Sequence, residues 1–335
     1  MDAGALQALS DVFYRIVIGG SPSTLHTESG SFANRSQFIL TDKAKRGALP
    51  RLSRIIRKYP LGVLGAAFIL LVALVAAFAP QLAPHDPGAI DTNHAFESPG
   101  SSYWFGTDRL GRDMLSRMMY GARVTLAVGS LAVLLATVVG LMLGVVAGAS
   151  KGALGRLVLV INDALISIPF LILAMVLIAI EPIHVGDDLQ RRVLNVSVAI
   201  AVGSVAYVTR VVRSATLAIN EEQYIEAAQV VGCSRPRIIW RHVLPNVLPL
   251  TLVYSASVLG YAILTEAALG FLGLSVSQPN SSWGGQLGIE AQGQYLQAPW
   301  LAIIPGAAIS LLVFSANMLG DAARDVLDPK LRRVI

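Results

Sequence analysis

The 335-residue chain is 54% hydrophobic and only 14% charged, with a mean hydropathy of +0.61. A soluble domain carries about 25% charged residues, so this composition excludes a water-facing globule and points to a bilayer. The net charge of +5 does not indicate nucleic acid as a partner, because Lys and Arg gather beside apolar segments, as they do where they set membrane orientation. A single cysteine, Cys233, excludes a disulfide framework, and no CxxC or HxxxH pairing suggests a metal.

The chain opens without an early basic cluster, so no cleaved signal peptide is expected. Leu6, Leu9, Phe13 and Val17 recur at helical spacing over residues 4–18, a stretch too short and polar to span. Residues 19–47 read as a linker, and 1–58 as a cytoplasmic extension. Six spans follow, at about 61–82, 124–149, 157–180, 193–212, 247–272 and 300–319; each supplies the roughly 20 apolar residues that a crossing needs. Residues 59–123 then hold the first span and an external segment, and 124–321 form the core.

Arg51, Arg54, Arg57 and Lys58 precede the first span and should hold the N-terminus in the cytoplasm. Six crossings return the tail, 322–335, to the same side. One stretch disagrees with this polarity. Residues 84–123 fall outside yet contain Arg109, Arg112, Arg117 and Arg123, with Asp108 and Asp113 available as partners.

Within the spans, Gly140, Gly144 and Gly148 form overlapping GxxxG patterns, which read as close helix packing. Pro169 is expected to kink the third span, and Arg210 and Arg213 to snorkel to headgroups. Glu266 lies inside the fifth span, where a charge is costly. It must face the bundle interior or an end, either as a pathway or gating group or as a structural hydrogen-bond partner.

The connection 213–246 is unusually well specified. Asn220 and Gln223 read as a capping box starting a short helix, with Glu221 and Glu222 at its positive end. Gly232 can close that helix in the left-handed conformation. Ser234 can cap a second helix through Ile238, Ile239 and Trp240, and Pro245 marks the return to the membrane. Ala227 and Ala228 let another protein approach the backbone, and Glu226 offers an acidic contact. A DNA-binding helix-turn-helix does not suit a segment tethered to spans on both sides.

Glu226-Ala227-Ala228-xxx-Gly232 with Leu244-Pro245 downstream resembles the EAA loop of ABC importer permeases. In that family the loop docks into a cleft on the ATPase. The resemblance assigns ATPase coupling to Glu226, Ala227, Ala228, Gly232, Arg235, Leu244 and Pro245. His242 stands where the usual pattern has Ile, which favours the peptide/nickel branch. Phe105–Asp113, Ser116-Arg117 and Gly121–Arg123 are similar to the dipeptide/oligopeptide "C" permeases. So are Trp283-Gly284, Pro299-Trp300, Pro305-Gly306 and Asn317–Pro329, and the similarity covers about 50–335.

What the resemblance implies is an all-α integral membrane protein, a type I ABC importer permease bundle of six helices in the bacterial inner membrane. It would pair with a second permease subunit, two ATPase subunits and an extracytoplasmic substrate-binding protein, and carry peptides or a related solute such as a nickel chelate. No GxxxxGK[ST] loop occurs in the chain. ATP and Mg would therefore sit on the ATPases, and this chain would bind no cofactor and be no enzyme by itself. The alternative, a self-contained secondary transporter, needs charges near the midplane, and only Glu266 qualifies.

Overall fold

The computed structural model describes residues 57–150, 152–180, 188–276, 280–291 and 293–327. The 4–18 stretch, the linker and most of the C-terminal tail lie outside these residues. The chain forms two units, Met1–Pro60 and Leu61–Ile335, and all contacts below lie within the second.

Among the described residues the regular elements are helices, with one isolated bridge between Thr107 and Asp113. In chain order the helices are α1 (Pro60–Ala77), α2 (Ala79–Leu82), α3 (Met114–Ala149), α4 (Ala153–Ser167), α5 (Phe170–Ile180), α6 (Leu189–Asn220) and α7 (Gln223–Val230). α8 (Arg235–Ile238) then runs through a π turn, Ile239–Val243, into α9 (Leu244–Phe271). A short α10 (Trp283–Gly285) and its π turn precede α11 (Trp300–Leu327). Five helices are long and apolar enough to cross a membrane, and α4 with α5 makes a sixth crossing if the bent pair is one span.

Several helices outrun their apolar stretches. α3 has 36 residues, about 54 Å of helix against roughly 30 Å of hydrocarbon. It starts ten residues before the apolar run because the Asp113 carboxylate accepts from the Ser116 amide (2.9 Å) and caps it. α6 continues past Arg210 and Arg213 to Asn220. The capping-box reading of Asn220 therefore gives way. Asn220 ends α6, and its Nδ2 donates to the Gly148 carbonyl of α3 (3.3 Å).

The third span departs furthest from a straight crossing. Ile168 adopts φ −88°, ψ 128°, the extended geometry that a following proline imposes, and α5 leaves α4 at 95°. Pro169 breaks the span rather than kinking it. Below the break, Arg210 Nη2 donates to Asp163 Oδ1 (3.0 Å), so Arg210 ties α6 to α4 in an exposed ion pair.

α3 and α6 form the axis of the bundle. A Cβ on Gly140, Gly144 or Gly148 would stand 2.6, 2.5 or 2.6 Å from Cβ of Val208, Val212 or Thr216. Lipid supplies no hydrophobic drive between helices, so this close approach holds the pair by dispersion contacts. Around it, Val124, Val128 and Ala132 of α3 pack with Phe170, Ala174 and Ile178 of α5, Val196, Ala199 and Ile200 of α6, and Ala262 and Leu269 of α9. Val72 and Ala76 of α1 join Ile263 and Ala267 of α9 and Ile309 and Leu312 of α11. Leu64, Leu70, Leu71 and Leu74 of α1 stay exposed, as a lipid-facing surface would.

Part of the arginine-rich stretch 84–123 is paired internally. Arg112 Nε donates to Asp108 Oδ2 (2.6 Å), and Arg117 Nε lies 3.6 Å from the same oxygen, all three residues being buried. Two of the four arginines are thus paired inside the protein, where they exert little pull on membrane orientation. Asp113 Oδ2 accepts from the amide and hydroxyl of Ser116 (2.9 and 2.6 Å) and lies 3.6 Å from His85 Nδ1.

A side chain at the α3–α6 contact must push the helices apart, and overpacking of this kind costs about 1–3 kcal/mol. Gly144→Leu is therefore expected to lower the thermal midpoint of the detergent-solubilised protein, whereas Gly152→Leu, whose Cβ meets nothing within 4 Å, should leave it unchanged.

Candidate functional site

The loop between α6 and α9 is anchored from below and open above. Ile225 of α7 and Ile238 of α8 are buried with Val243, Val247, Val145, Val208 and Val212. Along α7 this leaves Gln223, Glu226, Ala227 and Val230 on the exposed side, with Ala228 half-buried. Val230 and Val231 are 81% and 83% exposed and Trp240 72%. The loop thus shows two valines and a tryptophan to its surroundings, together with the exposed Glu226, Arg235, Arg237 and Arg241, a mix of apolar and charged groups that suits a protein contact.

Gly232 fixes the turn between the two short helices. Its φ is +86°; Cys233 N donates to Ala228 O (3.0 Å) and Gly232 N to Gln229 O (2.9 Å). That pair of bonds is the Schellman closure, which a glycine makes without steric cost. Ser234 stands at the start of α8 without a side-chain cap bond.

The loop re-enters α9 through the π turn. Leu244 N donates to Ile239 O, and Pro245 has no N–H to continue the regular ladder, so the wider turn accommodates it. Leu244 is half-buried and Pro245 exposed. His242, the departure from the usual pattern, serves locally. Its carbonyl accepts from Asn246 Nδ2 (2.6 Å) and its ring lies 6.2 Å from that of Tyr224. Burial, and then the Glu222 carboxylate, hold the Tyr224 phenol above its ordinary pKa, and its oxygen accepts from Asn246 Nδ2 (3.4 Å), linking α7 to α9.

Glu266 is at the opposite end of α9 and is not part of this surface. It is fully buried. Thr125 Oγ1 donates to its Oε2 (3.2 Å), Ser275 Oγ to its Oε1 (2.8 Å), and the Ser282 side chain also bonds to it. Arg192 Nη2 donates to the Ser275 carbonyl (2.8 Å), and the Trp283 amide to Thr125 Oγ1 (3.3 Å). Glu266 is therefore an acceptor that joins α3, α9 and α10 through hydroxyl donors. Arg192, Ser275 and Trp283 have no sequence signal, because their partners lie 83, 9 and 158 residues away.

A multi-span helical bundle that presents a rigid two-helix loop at one end is the architecture of a transport permease. Residues 140–333 match the model of the binding-protein-dependent transport system inner membrane component, and 52–99 that of the N-terminal TM domain of oligopeptide transport permease C. The chain is 38% identical over 278 residues to the dipeptide transport system permease protein DppC of Alkalihalophilus pseudofirmus, covering 83% of this chain and 88% of that protein. It is 36% identical over 295 residues to the glutathione transport system permease protein GsiD of Pectobacterium atrosepticum, covering 88% and 95%. A chain solved in inward-facing conformations of the MetNI methionine ABC transporter matches with a TM-score of 0.51 and 26% identity, over 64% of this chain and 98% of that one. The chain belongs to the binding-protein-dependent transport system inner membrane component family, and is a multi-pass permease subunit of an ABC transporter.

Removing the Glu266 acceptor would strand three hydroxyl donors, at about 1–3 kcal/mol for each one left unsatisfied. Glu266→Leu should destabilise the protein markedly in a thermal assay, and Glu266→Gln, which keeps an acceptor oxygen, much less.

Proposed function

We propose that this subunit forms half of the translocation pathway of an importer for peptides or a related small solute, such as glutathione or a nickel chelate. In this reading it sits in a bacterial inner membrane with both termini cytoplasmic, beside a second, similar permease. Two ATPase subunits bind ATP and Mg on the cytoplasmic side, and a substrate-binding protein delivers solute from outside. The relatives' names support the solute class, since they include dipeptide, D,D-dipeptide and glutathione systems.

The observation that carries the reading is the exposed face of α7. Glu226, Ala227, Val230 and Val231 stand out from a helix whose other side is bolted to the bundle through Ile225. A contact made here by an ATPase subunit would move α6 and α9 with it, since α7 follows α6 directly and runs through α8 and the π turn into α9. ATP binding would thereby bias the bundle between its two open states. Glu226 and Arg235 supply charge-paired contacts in this scheme, Ala227, Ala228 and Gly232 supply close approach, and Leu244 and Pro245 fix the exit into α9. Glu266 would influence gating only by holding α3, α9 and α10 together.

Glu226→Lys reverses a charge on the exposed face. Gly232→Asp adds a side chain that meets nothing within 4 Å in this chain, at the roughly 1–2 kcal/mol that a left-handed φ costs a residue with a Cβ. Both variants should reach the membrane in normal amounts and lose about tenfold or more of their transport, the loss expected of an interface hot spot. Normal uptake by either would refute the docking assignment.

Orientation is tested with single cysteines in a Cys233→Ser background. Leu296→Cys, at a fully exposed position, should react with an impermeant thiol reagent added outside, and Gln229→Cys only from the cytoplasmic side. Gln286, though in an external segment by sequence, is 1% exposed and donates to the Arg117 carbonyl (2.8 Å), so it is unsuitable as a probe.

A further inference from the structure

A second polar feature lies far from the loop, in the middle of the bundle. Ser204, Tyr207, Tyr254, Ser257, Val258 and Tyr261 line a groove of about 360 Å³ between α6 and α9. Its depth follows from the helices. α6 has 32 residues from Leu189 and α9 has 28 from Leu244, so Ser204 is sixteenth in the first (204 − 188) and Ser257 fourteenth in the second (257 − 243). Both stand at the midpoints of membrane-spanning helices. Tyr207 and Tyr261 are 39% and 47% exposed.

Hydrocarbon cannot hydrogen-bond five hydroxyls at this depth. Neighbouring hydroxyls on the same helices turn inward, Ser197 Oγ donating to Val193 O (2.6 Å), Ser255 Oγ to Thr251 O (2.8 Å) and Thr265 Oγ1 to Tyr261 O (2.9 Å). Ser204 lines the groove at 2% exposure, and its Oγ, like Thr209 Oγ1 and Thr216 Oγ1 further along α6, is buried without a hydrogen-bond partner among the described residues. The Tyr261 ring is held in place against Phe170, with centroids 5.0 Å apart.

We propose that this groove is a solute-contacting site in the translocation pathway, taking the uncharged amide backbone of a short peptide in transit. The proposal rests on the peptide-importer reading above and deepens it. Ser204 Oγ and the tyrosine hydroxyls each donate and accept, which matches the alternating N–H and C=O of a peptide. The tyrosine rings offer faces for apolar side chains without selecting any one of them. No charged side chain lines the groove, so nothing there would hold a solute tightly, and a pathway must release what it binds.

The test uses the complete transporter, reconstituted with its ATPase and binding-protein partners, and radiolabelled dialanine and trialanine as probes. Tyr207→Phe, Tyr254→Phe and Tyr261→Phe are combined with Ser204→Ala, which removes four hydroxyls and leaves the rings in place. Uptake of both probes should fall about fivefold or more, in line with several lost hydrogen bonds, while membrane abundance and ATPase activity stay at the wild-type level. Undiminished uptake overturns the proposal. As a second measurement, Ser257→Cys in a Cys233→Ser background should be modified by a small water-soluble methanethiosulfonate. Modification only by a membrane-partitioned maleimide would place the groove against lipid, and modification by neither would place it under the second permease; either result overturns the site. A wild-type transporter that takes up neither probe overturns the peptide reading itself, an outcome distinct from a deficit confined to the variants.

Discussion

Hydrocarbon offers no partner to a hydrogen-bonding group, and the rest of this structure is arranged around that constraint. It is met first in the backbone, by making nearly every described residue at depth helical. It is met again in the side chains. At depth Glu266 takes three hydroxyl donors, from α3 and from the segments before and at the start of α10, and so ties together helices that have no hydrophobic reason to associate. Outside the apolar runs the Arg112–Asp108 pair and the bond from Asn220 to the Gly148 carbonyl hold the helix ends.

The same constraint makes the exceptions informative. The loop of α7, α8 and the π turn leaves Val230, Val231 and Trp240 exposed while burying Ile225 and Ile238. That division suits a helix held by the bundle on one face and by another protein on the other. The groove at mid-depth is the converse case, bringing five hydroxyl-bearing side chains together where the surroundings should be apolar. One end of α9 carries the loop and its middle carries the groove, so a displacement entering at α7 reaches the groove along a single continuous element running from Arg235 to Phe271.

Much of this was legible in the sequence, for physical reasons that are local. Apolar runs report helices at depth, the 140–144–148 glycine spacing reports a shared face, and Gly232 reports a left-handed turn. Helix ends were less legible, because hydropathy stops at the first charge while the backbone ladder continues, as at Met114 and Asn220. Pro169 was readable as a perturbation but not as a 95° break, since the angle depends on what α5 packs against. The Glu266 network was invisible, because the pairing of Thr125 with Glu266 spans 141 residues and no local pattern encodes it. The EAA-type spacing located the loop, and the structure added Val230, Val231 and Trp240 to its exposed face.

The central claim, that the exposed face of α7 is where an ATPase subunit docks, is tested most directly by chemistry at Ala227. A photo-cross-linking amino acid placed there, in the purified and assembled transporter, should form an adduct whose second chain is identified by mass spectrometry. An adduct with the ATPase subunit at Ala227, and none when the same group is placed at Leu296 at the other end of the bundle, is the expected result. Cross-linking to the ATPase from Leu296 but not from Ala227 would contradict it.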